Sequence, residues 1–233
     1  MSSRDENEEI EGDHGGELRA WLHAEALEAL AEVNEACLEL LAEQSMVRTT
    51  QTPPMLRELA ELWRTLDPGA RRRAAGCPYL LLDAGFADAG RWRSLGGYDV
   101  SDRVPPAYGA FFTVPHATEV ARLVFTYAWH VARTQHVSAR MLLGIPAHCA
   151  PLIAGCTLRQ IQDFGRRYCA WLRPRWPSRV KFWREFLLTA AEGEGIALEQ
   201  ARIHGLQLLA AEVRSSLVHL AANAVGVCSR PDP

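Results

Sequence analysis

The stretch SARMLLGIPAHCAPLIAGCTLRQIQDFGRRYCAWLRPRW, from Ser138 to Trp176, decides how this chain is read. Apolar residues recur at helical spacing on both sides of Leu143-Gly144-Ile145-Pro146, so the segment reads as helix, tight turn, helix. Thr157 stands where a helix N-cap belongs, with a hydroxyl able to satisfy a free amide of the next first turn. An arginine-rich aromatic run follows it. This is the one part of the chain where a helix-turn-helix pattern and a strong positive bias coincide.

Outward from that stretch the pattern stays helical. Pro115 and Thr118 open a helix whose apolar stripe is Val120, Leu123, Val124, Tyr127, Ala128 and Val131. Helices are predicted over Val180–Ala191 and Leu198–Ala222. On the N-terminal side, 85–115 is rich in Gly, Pro and Asp and reads as an irregular connection between two modules. Before it, Leu18, Trp21, Leu22, Leu27, Leu30, Val33, Cys37, Leu38, Leu40 and Leu41 predict an amphipathic helix with glutamates on its other face. RTTQTPP (48–54) breaks it, and a helix is predicted over Met55–Thr65. Asp67-Pro68 starts a shorter one that Ala75-Gly76-Cys77-Pro78 ends. Tyr79–Leu82 fits a helical turn or a strand equally well. The expectation is an all-α chain. It has a disordered acidic tail (1–17), an N-terminal helical module (18–84), a linker (85–115), a second helical domain (116–225) and a tail (226–233). The apolar positions Val120, Leu123, Val124, Tyr127, Leu206 and Leu209 are expected to carry oligomerisation.

The formal net charge of -3 hides a polarity along the chain. Residues 1–62 hold 15 acidic side chains against four arginines, whereas Arg133–Arg184 holds ten basic residues and one acid, Asp163. Such a split suits a basic surface for a polyanion, or an acidic segment that competes for it. The side chains expected to contact DNA are Arg159, Gln160, Arg166, Arg167, Arg173, Arg175, Arg179 and Lys181, because guanidinium forks bind phosphate in bidentate fashion. The bland alternative is an aromatic core with a solvated arginine rim. Ala147–Cys156 is too apolar to read bases, so a helical hairpin packed in a core competes with a recognition motif.

At Leu143-Gly144-Ile145 the segment resembles FlhD, a subunit of the bacterial flagellar transcriptional activator. That family has a helix ending in Ser-Ala-x-x-x-Leu-Gly-Ile, a short helix, Thr-Leu-x-Gln opening another, and an apolar-arginine-aromatic stretch. Here Ser138-Ala139, Leu143-Gly144-Ile145, Ala150, Ala154, Thr157-Leu158 and Gln160 fall in that order, and Arg175-Trp176 takes the place of the Arg-aromatic pair. Leu198–Val213 is similar to the family's C-terminal helix, so the resemblance covers about residues 120–215. It implies a cytoplasmic subunit of a transcription activator that works as a homodimer or hetero-oligomer. The partners it implies are promoter DNA, a second subunit such as FlhC, and RNA polymerase. Members are roughly half this length, and Trp171, Trp176, Trp183, Pro174 and Pro177 depart from the pattern. The first half carries hints of a diverged second copy. Val33-Asn34, Leu38, Leu40 and Ala42 resemble the family's first helix, and Thr65-Leu66 with Arg71-Arg72-Arg73 echoes Thr157-Leu158 with Arg166-Arg167.

Other classes find little support. No uninterrupted apolar run approaches the ~18 residues of a membrane span, and the polar start is unlike a signal peptide. His148, Cys149, Cys156 and Cys169 lack a Cys-x2-4-Cys knuckle, so buried thiols are expected there, with no metal and no cofactor. No Gly-x-Ser-x-Gly and no phosphate-binding loop occurs, which argues against an enzyme. A protein-binding adaptor of the same fold, without DNA contact, is the alternative to the regulator.

Overall fold

The computed structural model describes residues 24–47, 52–96 and 110–227. The expected tail at 1–17, Leu18, Trp21 and Leu22 of the expected first helix, residues 48–51 of the expected break, residues 97–109 of the expected linker and residues 228–233 lie outside them. Among the described residues the fold is all-α, with one two-stranded ladder.

The first helix, α1 (Ala24–Ser45), forms as its spacing predicts: Ala26, Leu30, Val33, Cys37, Leu40 and Leu41 are buried. Glu28, Glu32, Glu39 and Glu43 are exposed on the other side. The helix expected over Met55–Thr65 is two pieces, α2 (Pro54–Glu58) and α3 (Ala60–Thr65), interrupted at Leu59 with φ -107° and ψ 15°. Leu59 and Trp63 are both buried, and the Trp63 indole N–H donates to Met55 O at 3.3 Å. Helix α4 (Pro68–Ala75) starts where Asp67 predicts. The Asp67 carboxylate accepts from Gly69 N at 2.7 Å and Ala70 N at 3.0 Å. These amide bonds, chiefly that of Ala70, hold the Asp67 carboxyl below its ordinary range.

Tyr79–Leu82 resolves as bent, non-helical chain leading into β1 (Leu82–Asp83). The reason is Asn34, fully buried on α1. Its amide N–H group donates to Ala75 O (3.2 Å) and Tyr79 O (2.9 Å), and its oxygen accepts from Leu81 N at 3.0 Å. A helix over 79–82 would turn those backbone groups onto one another; Asn34 holds them open instead. The expected linker is partly helical: α5 (Ala89–Gly96) begins where Asp88 accepts from Arg91 N at 3.0 Å. Its Trp92 is buried against Phe86, Phe125 and Phe164. A tryptophan that large anchors a helix even in a glycine-rich segment.

The second half contains α6 (Ala117–Thr134), α7 (His136–Leu143), α8 (Ala150–Ala154) and α9 (Leu158–Arg167). A single 3-10 turn (Cys169–Trp171) leads to β2 (Arg173–Pro174), then α10 (Val180–Glu192) and α11 (Ile196–Val227). β1 and β2 pair antiparallel, Leu82 with Pro174 and Asp83 with Arg173. One apolar core runs through residues from both sides of the 85–115 segment. Helix α6 packs on α1, α8 and α9, and α10 packs on α4 and α11. Tyr127 OH donates to Ala26 O at 2.8 Å, Arg73 Nε donates to Ala190 O at 2.7 Å, and the Trp63 and Trp183 rings lie 5.7 Å apart.

Gly144 ends α7 in the left-handed conformation, φ 64°. A Cβ there would meet Leu209 Cδ1 at 2.6 Å, so the turn needs glycine twice over, for its backbone and for its contact with α11. Gly144→Ala is expected to lower the unfolding free energy by about 2 kcal/mol in urea titration, from left-handed strain plus overpacking. Gly195→Ala, with nothing within 4 Å of the added atom, should leave it within about 0.5 kcal/mol.

Candidate nucleic-acid interface

The expected site divides between two supports. On α9 the cap is as predicted: Gln160 N donates to Thr157 Oγ1 at 3.3 Å, and Thr157 N donates back to Gln160 Oε1 at 2.7 Å. Ile161, Phe164 and Gly165 turn inward, and Arg159, Gln162, Arg166 and Arg167 stay exposed. Gly165 sets the helix against α6, since a Cβ there would lie 2.7 Å from Arg122 Cα. At the other end of α9, Trp129 Nε1 donates to Cys156 O at 2.7 Å. Helices α6 and α9 therefore run antiparallel in close contact, with Arg122 against the Gly165 end and Trp129 against the capped end.

Placed on that pair, the expected residues separate. Arg159, Arg166 and Arg167 are exposed, and among the described residues no ion pair holds them. The Gln160 amide oxygen is engaged in the cap, so this side chain belongs to helix α9 more than to a ligand. Arg173 is half-buried on β2. Arg179 and Lys181 are exposed at the start of α10, on a different support. Farther along α10, Arg184 lines an open groove of about 340 Å³ with Glu58, Leu59, Glu61, Leu62, Thr65 and Leu188. Glu58 and Glu61 line that groove with Arg184, whereas α9 carries one acid, half-buried Asp163, and α6 one, exposed Glu119.

Arg175 is a correction. Its side chain is 2% exposed, and every nitrogen of the guanidinium is engaged. Nε donates to Leu80 O at 2.8 Å, Nη2 to Leu143 O at 2.5 Å, and Nη1 to Glu212 Oε2 at 3.0 Å. No phosphate can reach it. Spacing placed it in the basic run; burial makes it a structural tie between β1, the Gly144 turn and α11.

The expected oligomerisation face is a second correction. Val120, Val124, Tyr127 and Leu209 are buried inside the chain, and Leu206 is half-buried. Leu123 alone of that set is exposed. The stripe on α6 is covered by α1 and α9, so the chain supplies its own partner for the face. Two side chains that reading missed join the α9 arginines: Arg122, over Gly165, and Arg133, whose guanidinium lies 4.9 Å from the Trp129 ring. Both sit on the polar side of an amphipathic helix, where a basic residue signals only solubility until its neighbour is known.

Cys77 and Cys149 show no reactive character. Burial pushes Cys149 up to about 11 and Cys77 up to about 12, so both are protonated at neutral pH and poor nucleophiles. No described helix is long and apolar enough to cross a membrane. Comparison with protein-family models, curated proteins and solved structures finds no match.

Arg175→Met is expected to remove about 3 kcal/mol of stability, because it leaves the Leu80 and Leu143 carbonyls unpaired in a buried place. Urea unfolding monitored by tryptophan fluorescence would show it, and an unchanged midpoint would mean the tie carries no weight.

Proposed function

We propose that the chain is a FlhD-like transcriptional regulator subunit whose α9–α6 surface rests on the DNA backbone, in a complex with a second subunit such as FlhC. The observation that carries this reading is where the unpaired arginines stand. Arg57, Arg64, Arg71, Arg72, Arg91, Arg175 and Arg202 each lie within 4 Å of a carboxylate. Arg122, Arg159, Arg166 and Arg167 have no such partner among the described residues, a lack they share with arginines such as Arg73, Arg93, Arg179 and Arg184; what sets the four apart is that they are exposed on two helices locked together by Gly165. Held on a rigid base, such guanidiniums meet phosphates with little ordering cost. The arrangement suits positioning on the backbone more than base reading, which fits a subunit that leaves sequence choice to a partner. Arg166 and Arg167 also lie in the last turn of α9, where a cation favours the helix dipole, so part of their role is local.

A second reading, the adaptor without DNA contact, is favoured by Val137 and Met141, one turn apart on α7 and 67% and 39% exposed. Apolar side chains at that spacing suit a partner helix.

Fluorescence anisotropy with duplex DNA over a salt series separates the two. Arg159→Ala/Arg166→Ala/Arg167→Ala should flatten the slope of log K against log salt by about 3 in the assembled complex. An unchanged slope, with binding lost instead in Val137→Ser/Met141→Ser, would favour the adaptor.

A further inference from the structure

Most elements of the second half repeat elements of the first at a fixed distance in sequence, although α2 falls on the non-helical residues 145–149 and α7 has no counterpart helix among the described residues. β1 begins at Leu82 and β2 at Arg173, a shift of 91 residues; α5 begins at Ala89 and α10 at Val180, the same shift. Moved by 91, α4 (68–75) falls inside α9 (158–167), and α1 from Ala26 onward falls on α6 from Ala117. Burial follows the shift. Ala26, Leu30, Val33, Asn34, Cys37, Leu40 and Leu41 become Ala117, Ala121, Val124, Phe125, Ala128, Val131 and Ala132, and all fourteen are buried.

Two further features do not depend on helical periodicity. Three residues past the start of each strand the backbone is left-handed: Gly85 at φ 74° and Trp176 at φ 51°. Trp176 is the one non-glycine with positive φ among the described residues, and it occurs where the shift requires it. Each unit then carries a buried tryptophan, Trp92 or Trp183, whose indole N–H returns to that turn, to Gly85 O at 3.1 Å and to Arg175 O at 3.0 Å. The two strands so related also pair with each other, antiparallel, Leu82 with Pro174 and Asp83 with Arg173, as matching strands of two copies do across an isologous contact.

We infer that the chain is two copies of one helical unit fused in tandem and facing each other across the β1–β2 ladder, and that only the second copy keeps an open cationic face. The first clause stands on the geometry alone; the second rests on the DNA-contact reading above. The surface charge is what separates the copies. Along α1 the outward positions are Glu32, Glu35, Glu39 and Glu43; the shift puts Leu123, Thr126, His130 and Thr134 there on α6. Ala31 and Ala42 become Arg122 and Arg133. On α4, Arg71 and Arg72 are drawn onto Glu39 and Glu35 at 3.3 and 3.6 Å, and Arg73 onto the carbonyls that end α10. The α9 arginines form no such ion pair among the described residues; of the α1 glutamates the shift keeps only Glu28, as Glu119 in the first turn of α6. One fold therefore presents an acidic unit and a basic one. A polyanion is attracted to one side and repelled from the other, so the chain takes a single orientation on one half-site.

The full chain tests both clauses. Light scattering should give a monomer of 25.9 kDa, since the faces that would join two copies are already joined within one chain; twice that mass would overturn the fusion. In duplex-DNA anisotropy, Arg159→Glu/Arg166→Glu/Arg167→Glu should weaken binding by roughly tenfold or more. Arg64→Glu/Arg72→Glu, exposed on the first unit, should leave it within about twofold. Equal losses in the two variants would overturn the one-sided assignment and leave the DNA reading intact. No loss in either would remove the DNA reading and with it the second clause, while the scattering result still decides the first.

Discussion

The structure turns on the Arg175 guanidinium, a cation removed from water and held by two carbonyls and a carboxylate. A buried charge is tolerated only where its donors are satisfied, so each partner must stay in place for the others to remain favourable. Leu80 belongs to the bent chain before β1, Leu143 to the end of α7, and Glu212 to α11. Segments far apart in sequence are thereby fixed to one point. Asn34 does for the 75–81 stretch what Arg175 does for the larger assembly, with a neutral side chain instead of a charged one.

Around these polar ties the apolar packing is ordinary helix-on-helix contact, made close at selected positions by small residues. Gly165 brings α9 onto α6 at Arg122, and Gly144 lets Leu209 of α11 approach the turn. Both contacts carry a consequence for the surface. With α9 pressed onto α6, exposed cations come from both helices of one packed pair, and with the turn sealed by α11 the apolar positions 206 and 209 are withdrawn from solvent or partly so. Packing thus decides which side chains are left for a partner.

Charge is arranged by the same logic. Glu39 and Glu35 of α1 lie within 4 Å of Arg71 and Arg72 of α4, so these arginines are neutralised within their own half, which keeps an excess of acids. At the positions of α6 that match Glu32, Glu35, Glu39 and Glu43 stand Leu123, Thr126, His130 and Thr134, and the arginines of α9 have no ion pair among the described residues. The net charge of -3 conveys none of this, because it sums two faces of opposite sign.

The residues by themselves determined the helical class, the break at Pro53-Pro54, the Asp67 and Thr157 caps and the turn at Gly144. Each depends on contacts within a few residues: apolar spacing, a capping side chain, a ring that locks φ, a missing Cβ. Leu59, Trp92 and the Tyr79–Leu82 run were misread or left open, because their conformation is set by partners tens of residues away. The site was legible in part. Arg159, Arg166 and Arg167 remain on the surface, while Arg175 and the Val120–Val124–Tyr127 stripe went inside. Spacing shows that side chains share a face of a helix; it does not show what that face meets. Only the tertiary structure decided that, by bringing α1 onto α6 and the carbonyls of residues 80 and 143 to within hydrogen-bond reach of one arginine.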